Sequence, residues 1–298
     1  MSDLTTDQAF ARYEAIRPRL PDATFPATSQ HGATLADVAD RWDGFILDAF
    51  GVLNIGDTPI PGAVARMAQL RAMGKRLCVL TNAASYPRSV ALAKYHRLGF
   101  DFSPDEVVSS RDIAVAALPC IADGARWGAI AAEGDSFADL DADVTDLHDT
   151  DEWSGIDAFL YLSTARWTPS LHAKLLQAMD RNPRPLLVAN PDLVAPREGG
   201  LSTEPGYWGH DIADRTGATL HWCGKPFPDA HLEAAARTGL APHRLAMVGD
   251  TLHTDVLGGA ASGMGTVLIT AHGLFTGRDT APFIAASGII PDAIVTTT

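Results

Sequence analysis

The chain has 298 residues, of which 46% are apolar and 20% charged, enough apolar content to build about two packed domains and too much for a disordered chain. Acidic residues outnumber basic ones 36 to 23, and the net charge of −13 argues against nucleic acid or an anionic membrane as partner while leaving a local anion pocket open. Cys78, Cys120 and Cys223 lie far apart with no CxxC pair, which excludes a disulfide scaffold and a zinc signature. The first residues show no basic region followed by an apolar stretch, and no apolar run reaches the roughly 18 residues of a membrane helix, so the expectation is a cytoplasmic protein.

Along the chain, short apolar runs alternate with helical stretches as in βαβ units. Residues 5–17 read as an amphipathic helix, after which Pro18, Pro21 and Pro26 break the chain into a loop. Residues 44–47 form a compact apolar strand running into Asp48. Pro61 opens a helix with apolar Val64, Met67, Ala68 and Leu70, and Gly74 closes it. A strand at 76–80 ends on Thr81-Asn82, and a helix is predicted over 88–97. Further strands are predicted at 127–132 and 156–162, then a helix from about Pro169 and a strand at 185–189 ending on Asn190-Pro191-Asp192. A helix over 207–215 stops near Gly217, and residues 219–223 read as a strand feeding Gly224-Lys225-Pro226. Helix 228–238, strand 245–248, helix 254–261 and strand 266–270 complete the pattern. The acid-rich stretch 133–152 reads as a solvated loop.

Four of these strands end in groups that could share a crevice, because an open parallel sheet binds ligands at the carboxyl ends of its strands. Asp48 follows the first, Thr81 and Asn82 the second, Lys225 a third, and Asp250 with Asp255 a fourth. Asp48 suits a carboxylate nucleophile or metal ligand, and Asp250 and Asp255 would complete an oxygen-rich magnesium site. Thr81 and Lys225 could hold the non-bridging oxygens of a phosphoryl group. Each residue alone has an ordinary structural reading, as a cap, a turn former or a surface lysine. Their order, each just after an apolar run, carries the argument.

In that order, Ile46-Leu47-Asp48-Ala49-Phe50-Gly51, Leu80-Thr81-Asn82, Gly224-Lys225-Pro226 and Val248-Gly249-Asp250-Thr251-Leu252-His253-Thr254-Asp255 resemble the haloacid dehalogenase superfamily. Within it the chain is most similar to the class IIA hydrolases, with further matches at Ile60-Pro61-Gly62 and Asn190-Pro191-Asp192. The resemblance runs from about residue 43 onward and leaves residues 1–40 as an unmatched N-terminal helical extension. It implies a Rossmann-like, doubly wound parallel core of residues 1–112 and 220–298 and an inserted α/β cap at 113–219. It also implies Mg²⁺ held by Asp48, the main-chain oxygen of Phe50, Asp250 and Asp255. Phosphate would be bound by Gly51, Thr81, Asn82 and Lys225. Asn190, Asp192 and the Tyr207-Trp208 turn would meet the rest of a small phosphorylated substrate, with packing an equal reading for the last two. A homodimer through the cap is compatible with the resemblance.

One position departs from the pattern. Phosphatases of this superfamily carry Asp-x-Asp, the second aspartate being the general acid, whereas this chain has Phe50 there. A phenyl ring transfers no proton, and losing a positioned acid costs about 10²–10⁴-fold in rate. Three readings follow: a phosphatase with a substitute acid, His253 being nearest in sequence; a dehalogenase-like hydrolase acting on carbon; or a phosphate-ligand binder without turnover. The first is preferred, since Asp250 and Asp255 retain the cation site.

Overall fold

In the computed structural model of the chain, which describes residues 4–197 and 200–298, two parallel sheets organise the molecule. The larger has seven strands in the order Gln30–Thr34, Ala293–Thr297, Gly265–Ile269, Leu245–Gly249, Gly44–Leu47, Arg76–Thr81 and Val107–Ser109, every neighbour parallel. All residues of Gly44–Leu47 and Leu245–Gly249 are buried, as a sheet covered on both faces requires. Side chains alternate between the faces: Phe45, Leu47 and Val79 pack with Met67 and Leu70 of helix Ala63–Ala72. Ile46, Cys78 and Leu80 pack with Ala230 and Ala234 of helix Pro228–Thr238. The chain winds outward from Gly44–Leu47 on one side and returns at Leu245–Gly249 on the other, so the order reverses between these two strands. Asp48 and Asp250 follow their carboxyl ends, where such a reversal opens a crevice.

The second sheet has five parallel strands in the order His221–Trp222, Leu186–Val188, Ala158–Tyr161, Arg126–Ile130 and Asp143–Asp146. Helix Ser110–Ala122 covers one face through Ala114 and Leu118. Helices Pro169–Arg181 and Pro205–Thr216 cover the other through Leu175, Met179 and Ile212. The strand expected at 219–223 shrinks to His221–Trp222 and joins this second sheet, not the larger one. The helix expected at 254–261 begins only at Leu257, because Leu252–Val256 form a wider π-helical turn. Among the described residues no helix is long and apolar enough to cross a membrane.

Residues 133–152 are less solvated than their composition suggests. Arg111, 1% exposed in helix Ser110–Ala122, forks onto Asp135 at 2.6 and 2.9 Å and onto Asp139 at 2.7 Å. The same guanidinium donates to the carbonyl of Ala84 at 3.3 Å, tying the second sheet's loop to the loop after Thr81-Asn82. Replacing Arg111 by methionine would strand the Asp135 carboxylate in a buried position. The expected loss is about 3–5 kcal/mol, the scale of a broken buried pair, read as a lower urea midpoint. An unchanged midpoint would show that this cluster adds nothing to stability.

The N-terminal extension is also part of the fold. Helix Thr6–Ile16 starts with a capping box, Thr5 accepting from Gln8 N–H and Gln8 returning a bond to Thr5. It buries Ala9, Tyr13 and Ile16, and the following strand Gln30–Thr34 forms one edge of the larger sheet.

Candidate active site

Asp48, Asp250 and Asp255 are buried and each offers a carboxylate oxygen within 4.8 Å of the others. Lys225, 1% exposed, places its ammonium between two of them, 2.6 Å from Asp48 Oδ1 and 2.7 Å from Asp255 Oδ1. Asp48 Oδ1 also accepts the Ala49 N–H at 2.7 Å. Asp250 accepts the Leu274 N–H at 2.7 Å and the Thr251 hydroxyl at 3.2 Å, and Asp255 accepts the Thr251 N–H at 3.1 Å. Every carboxylate is thus aimed by at least one fixed donor.

The electrostatics of this cluster are unbalanced. Burial pushes Asp48 up to about 7 against the pull of Lys225, with Asp255 adding to the rise. Asp250 is held well above the usual carboxylate range by burial, then by Asp255 and Asp48. Burial alone would depress Lys225, yet Asp255, Asp48 and Asp192 outweigh it and keep the ammonium charged. Fully ionised, three carboxylates and one ammonium would carry two net negative charges in a buried site, and a hard divalent cation is what such an all-oxygen set fits.

A cavity of about 420 Å³ opens above the cluster, at the small end of the roughly 300–1,000 Å³ usual for small-ligand clefts. Asp48, Phe50, Thr81, Asn82, Asn190, Asp192 and Asp250 line it, so the structure brings most of the expected residues together. Thr81 Oγ1 accepts the Ala83 N–H at 3.2 Å and also bonds the Tyr95 hydroxyl. Burial pushes Asp192 up to about 8, with Lys225 opposing.

The structure ties several of these residues to particular partners. Asn82, expected at the phosphate, lines the cavity, and its side chain is held by its neighbours. Its amide donates to Asp192 at 2.8 Å and to the Lys225 carbonyl at 2.9 Å, and its oxygen accepts the Lys225 N–H at 2.8 Å. Gly224, at φ +119°, permits that approach, since a Cβ there would lie 2.5 Å from Asn82 Oδ1. Gly51 was expected to hold phosphate, yet its N–H donates to the Asn54 carbonyl at 3.0 Å. Its role is spatial: at φ +78°, a Cβ would sit 2.7 Å from the Asp250 carboxyl carbon. His253 was the nearest substitute acid in sequence. It is 1% exposed, does not line the cavity, and turns away to stack on Tyr13 and pair with Glu14. Trp208 packs in the second sheet's core and Tyr207 against the N-terminal helix's cluster, so both are packing residues.

The ring of Phe50 faces the cavity in place of a proton donor. It lies between two cations, with Lys94 Nζ 4.8 Å and Arg197 Cζ 5.2 Å from its centroid. Lys94 and Arg97 come from helix Arg88–Arg97, Arg197 from the hairpin Val194–Arg197 and Gly200–Thr203. All three line the cavity, with Asp57 and Glu204 pairing to Lys94 at 3.3 Å and Arg197 at 3.1 Å. The signal for them was present in the sequence: residues 88–97 hold Arg88, Lys94 and Arg97 and no acid, in a chain of net charge −13.

The chain is similar to several known proteins. A sequence profile of haloacid dehalogenase-like hydrolases matches residues 45–141, and a HAD-hydrolase-like profile matches residues 222–296. The glycerol-3-phosphate phosphatase of Gallus gallus is 32% identical over 297 residues, covering 89% of this chain and 92% of that protein. An acid sugar phosphatase of Staphylococcus aureus is 28% identical over 76% of this chain and 86% of its own length. Among solved structures, a possible sugar phosphatase from Cytophaga hutchinsonii superposes with a TM-score of 0.79 at 24% identity, over 90% of this chain and 98% of that one. The Mycobacterium tuberculosis glycerol phosphate phosphatase, solved with magnesium, gives 0.65 at 27% identity over 79% of this chain and 69% of that one. Taken with the Asp48, Thr81, Lys225 and Asp250 strand ends, these matches establish that the chain belongs to the haloacid dehalogenase-like hydrolases.

Proposed function

We propose that the protein is a magnesium-dependent phosphatase of a small phosphorylated metabolite, with Asp48 as the nucleophile. The observation that carries this reading is the buried cluster of Asp48, Asp250 and Asp255 around a single lysine, at the floor of a small cavity. The magnesium ligands in this reading are the side chains of Asp48 and Asp250 and the main-chain oxygen of Phe50, with Asp255 a ligand or the group that orients a bound water. The ion would offset the charge of the phosphoryl oxygens beside these carboxylates.

In the chemistry, a carboxylate oxygen of Asp48 attacks phosphorus as the ester P–O bond breaks, and the leaving oxygen takes its proton from water. Water then cleaves the acyl phosphate, returning the Asp48 carboxylate and inorganic phosphate. Thr81 donates to a phosphoryl oxygen, Lys225 balances the cluster's charge, and Asn190 and Asp192 bound the substrate from above. The relatives named for glycerol phosphate and sugar phosphates support a phosphate ester as the substrate class. Lys94, Arg97 and Arg197 favour an anionic ligand at the mouth. The domains in this reading are a core of residues 1–112 and 220–298 and a cap of 113–219.

Hydrolysis of an aryl phosphate in millimolar magnesium, its loss in EDTA and its return on adding magnesium back is the expected result. Turnover of a 2-haloacid in EDTA with no phosphate-ester activity would overturn the reading in favour of chemistry on carbon. Binding of phosphate esters with no turnover of any would leave a ligand binder.

A further inference from the structure

Residues 1–40 carry none of the motifs, yet helix Thr6–Ile16 lies directly behind the site. Tyr13, 2% exposed, accepts the Leu193 N–H at 3.1 Å, one residue beyond Asp192. Its ring stacks on the His253 imidazole, centroids 5.0 Å apart and planes 11° from parallel. His253 Nε2 pairs with the carboxylate of Glu14, and His253 itself lies in the segment between Asp250 and Asp255. The Thr6 hydroxyl donates to the Leu274 carbonyl at 3.0 Å, while the Leu274 N–H is the donor that aims Asp250. The first and last turns of one helix therefore touch three segments, each of which carries or directly bonds a site carboxylate. On the other side, Arg12 and Arg19 hold Asp214 of helix Pro205–Thr216 at 2.7 and 2.5 Å.

The cluster they support is crowded, since Asp48, Asp250 and Asp255 bring carboxylate oxygens within 4.8 Å of one another in a buried site. A turn carrying two such groups keeps a metal-ready geometry only if something outside it resists its spreading. Within the turn itself, the Thr251 N–H and hydroxyl brace the two carboxylates. From outside, the turn's own His253 is gripped by Glu14 and Tyr13.

We propose that helix Thr6–Ile16 is a positioning element of the active site, with Glu14 holding the Asp250–Asp255 turn through His253 and Tyr13 holding the Asp192 loop through Leu193. Neither residue touches substrate or metal; both act through the groups they hold. The inference rests on the magnesium-phosphatase reading and is tested by metal binding as well as by turnover.

The experiment is a calorimetric magnesium titration of the full chain, wild type against Glu14→Ala, Glu14→Gln, Tyr13→Phe and Asp7→Asn, with aryl phosphate kinetics on the same proteins. Loss of a partner behind a metal site typically weakens binding about 10–100-fold, and Glu14→Ala should raise the magnesium Kd by that order. Glu14→Gln, which keeps an acceptor for His253, should recover most of it. Tyr13→Phe keeps the stacking but leaves the Leu193 N–H without its partner, so KM should rise several-fold with the magnesium Kd unchanged. Asp7→Asn removes only the exposed pair with Arg278 and should change neither. Glu14→Ala binding magnesium within two-fold of wild type would overturn the inference, leaving the helix a mere cover. If Glu14→Ala does not fold, Tyr13→Phe decides: a wild-type KM in that variant overturns the inference equally. A wild type that binds magnesium but hydrolyses no phosphate ester defeats the phosphatase reading alone, and the Kd comparison still stands. A wild type that binds no magnesium defeats both.

Discussion

Replacing Asp48 by asparagine should lower aryl phosphate turnover by at least about 10⁴-fold, the scale seen when a covalent nucleophile is removed. The amide is nearly isosteric and is a far poorer nucleophile than the carboxylate. The fold should survive, because Lys225 keeps Asp255 as a partner at 2.7 Å and the cluster loses one of its mutually repelling charges. Circular dichroism and the thermal midpoint therefore serve as controls, and the metal-free variant should be no less stable than wild type. Residual turnover within ten-fold of wild type would place the nucleophile elsewhere.

Phe50→Asp should act in the opposite direction. Restoring a carboxyl group beside the leaving oxygen has a ceiling of about 10²–10⁴-fold, and the gain should appear in alkyl phosphates, whose leaving groups need a proton, more than in aryl phosphates. The surroundings limit it. Lys94 and Arg197, now 4.8 and 5.2 Å from the ring centroid, would become ion-pair partners of the new carboxylate and favour its charged form, making it a weaker acid. Their presence also means the substitution buries no unpaired charge, so the variant should fold. Adding Lys94→Met to Phe50→Asp should raise the alkyl-to-aryl preference further. Phe50→Asp that folds, binds magnesium and shows no alkyl phosphate gain would place the rate limit outside the missing acid.

What the sequence made legible follows from where its information is local. Asp48, Thr81 and Asp250 each end or follow an apolar strand of the larger sheet, and a parallel sheet converts that shared placement into a shared crevice, whereas Lys225 follows a strand of the second sheet. What was not legible is of another kind. The position of Asn82 in its motif says nothing about Asp192, 110 residues away, which takes its amide. Asp135 sits in a stretch that reads as a solvated acid loop and Arg111 in one with no assigned element, and only packing brings them within 2.6 Å. The short strands Gln30–Thr34 and Val107–Ser109 lack a long enough apolar run to be seen, and their pairing is supplied by the sheet they join. His253 was judged by proximity in sequence, whereas its ring direction is decided by a helix 239 residues upstream.

That helix has a bearing on how the molecule is made. Its partners are separated from it by between 180 residues, for Leu193 and Tyr13, and 271, for Arg278 and Asp7. At a synthesis rate of about 5–20 residues per second, residues 6–16 wait on the order of tens of seconds on the ribosome before the last of those partners is made. An isolated 11-residue helix is marginal in water, and its Ala9, Tyr13 and Ile16 face has nothing to cover it in that interval. The edge strand Gln30–Thr34 likewise waits for Ala293–Thr297, which are made later still. A nascent chain halted before residue 273 therefore holds every strand of the second sheet and still lacks the Leu274 N–H that aims Asp250.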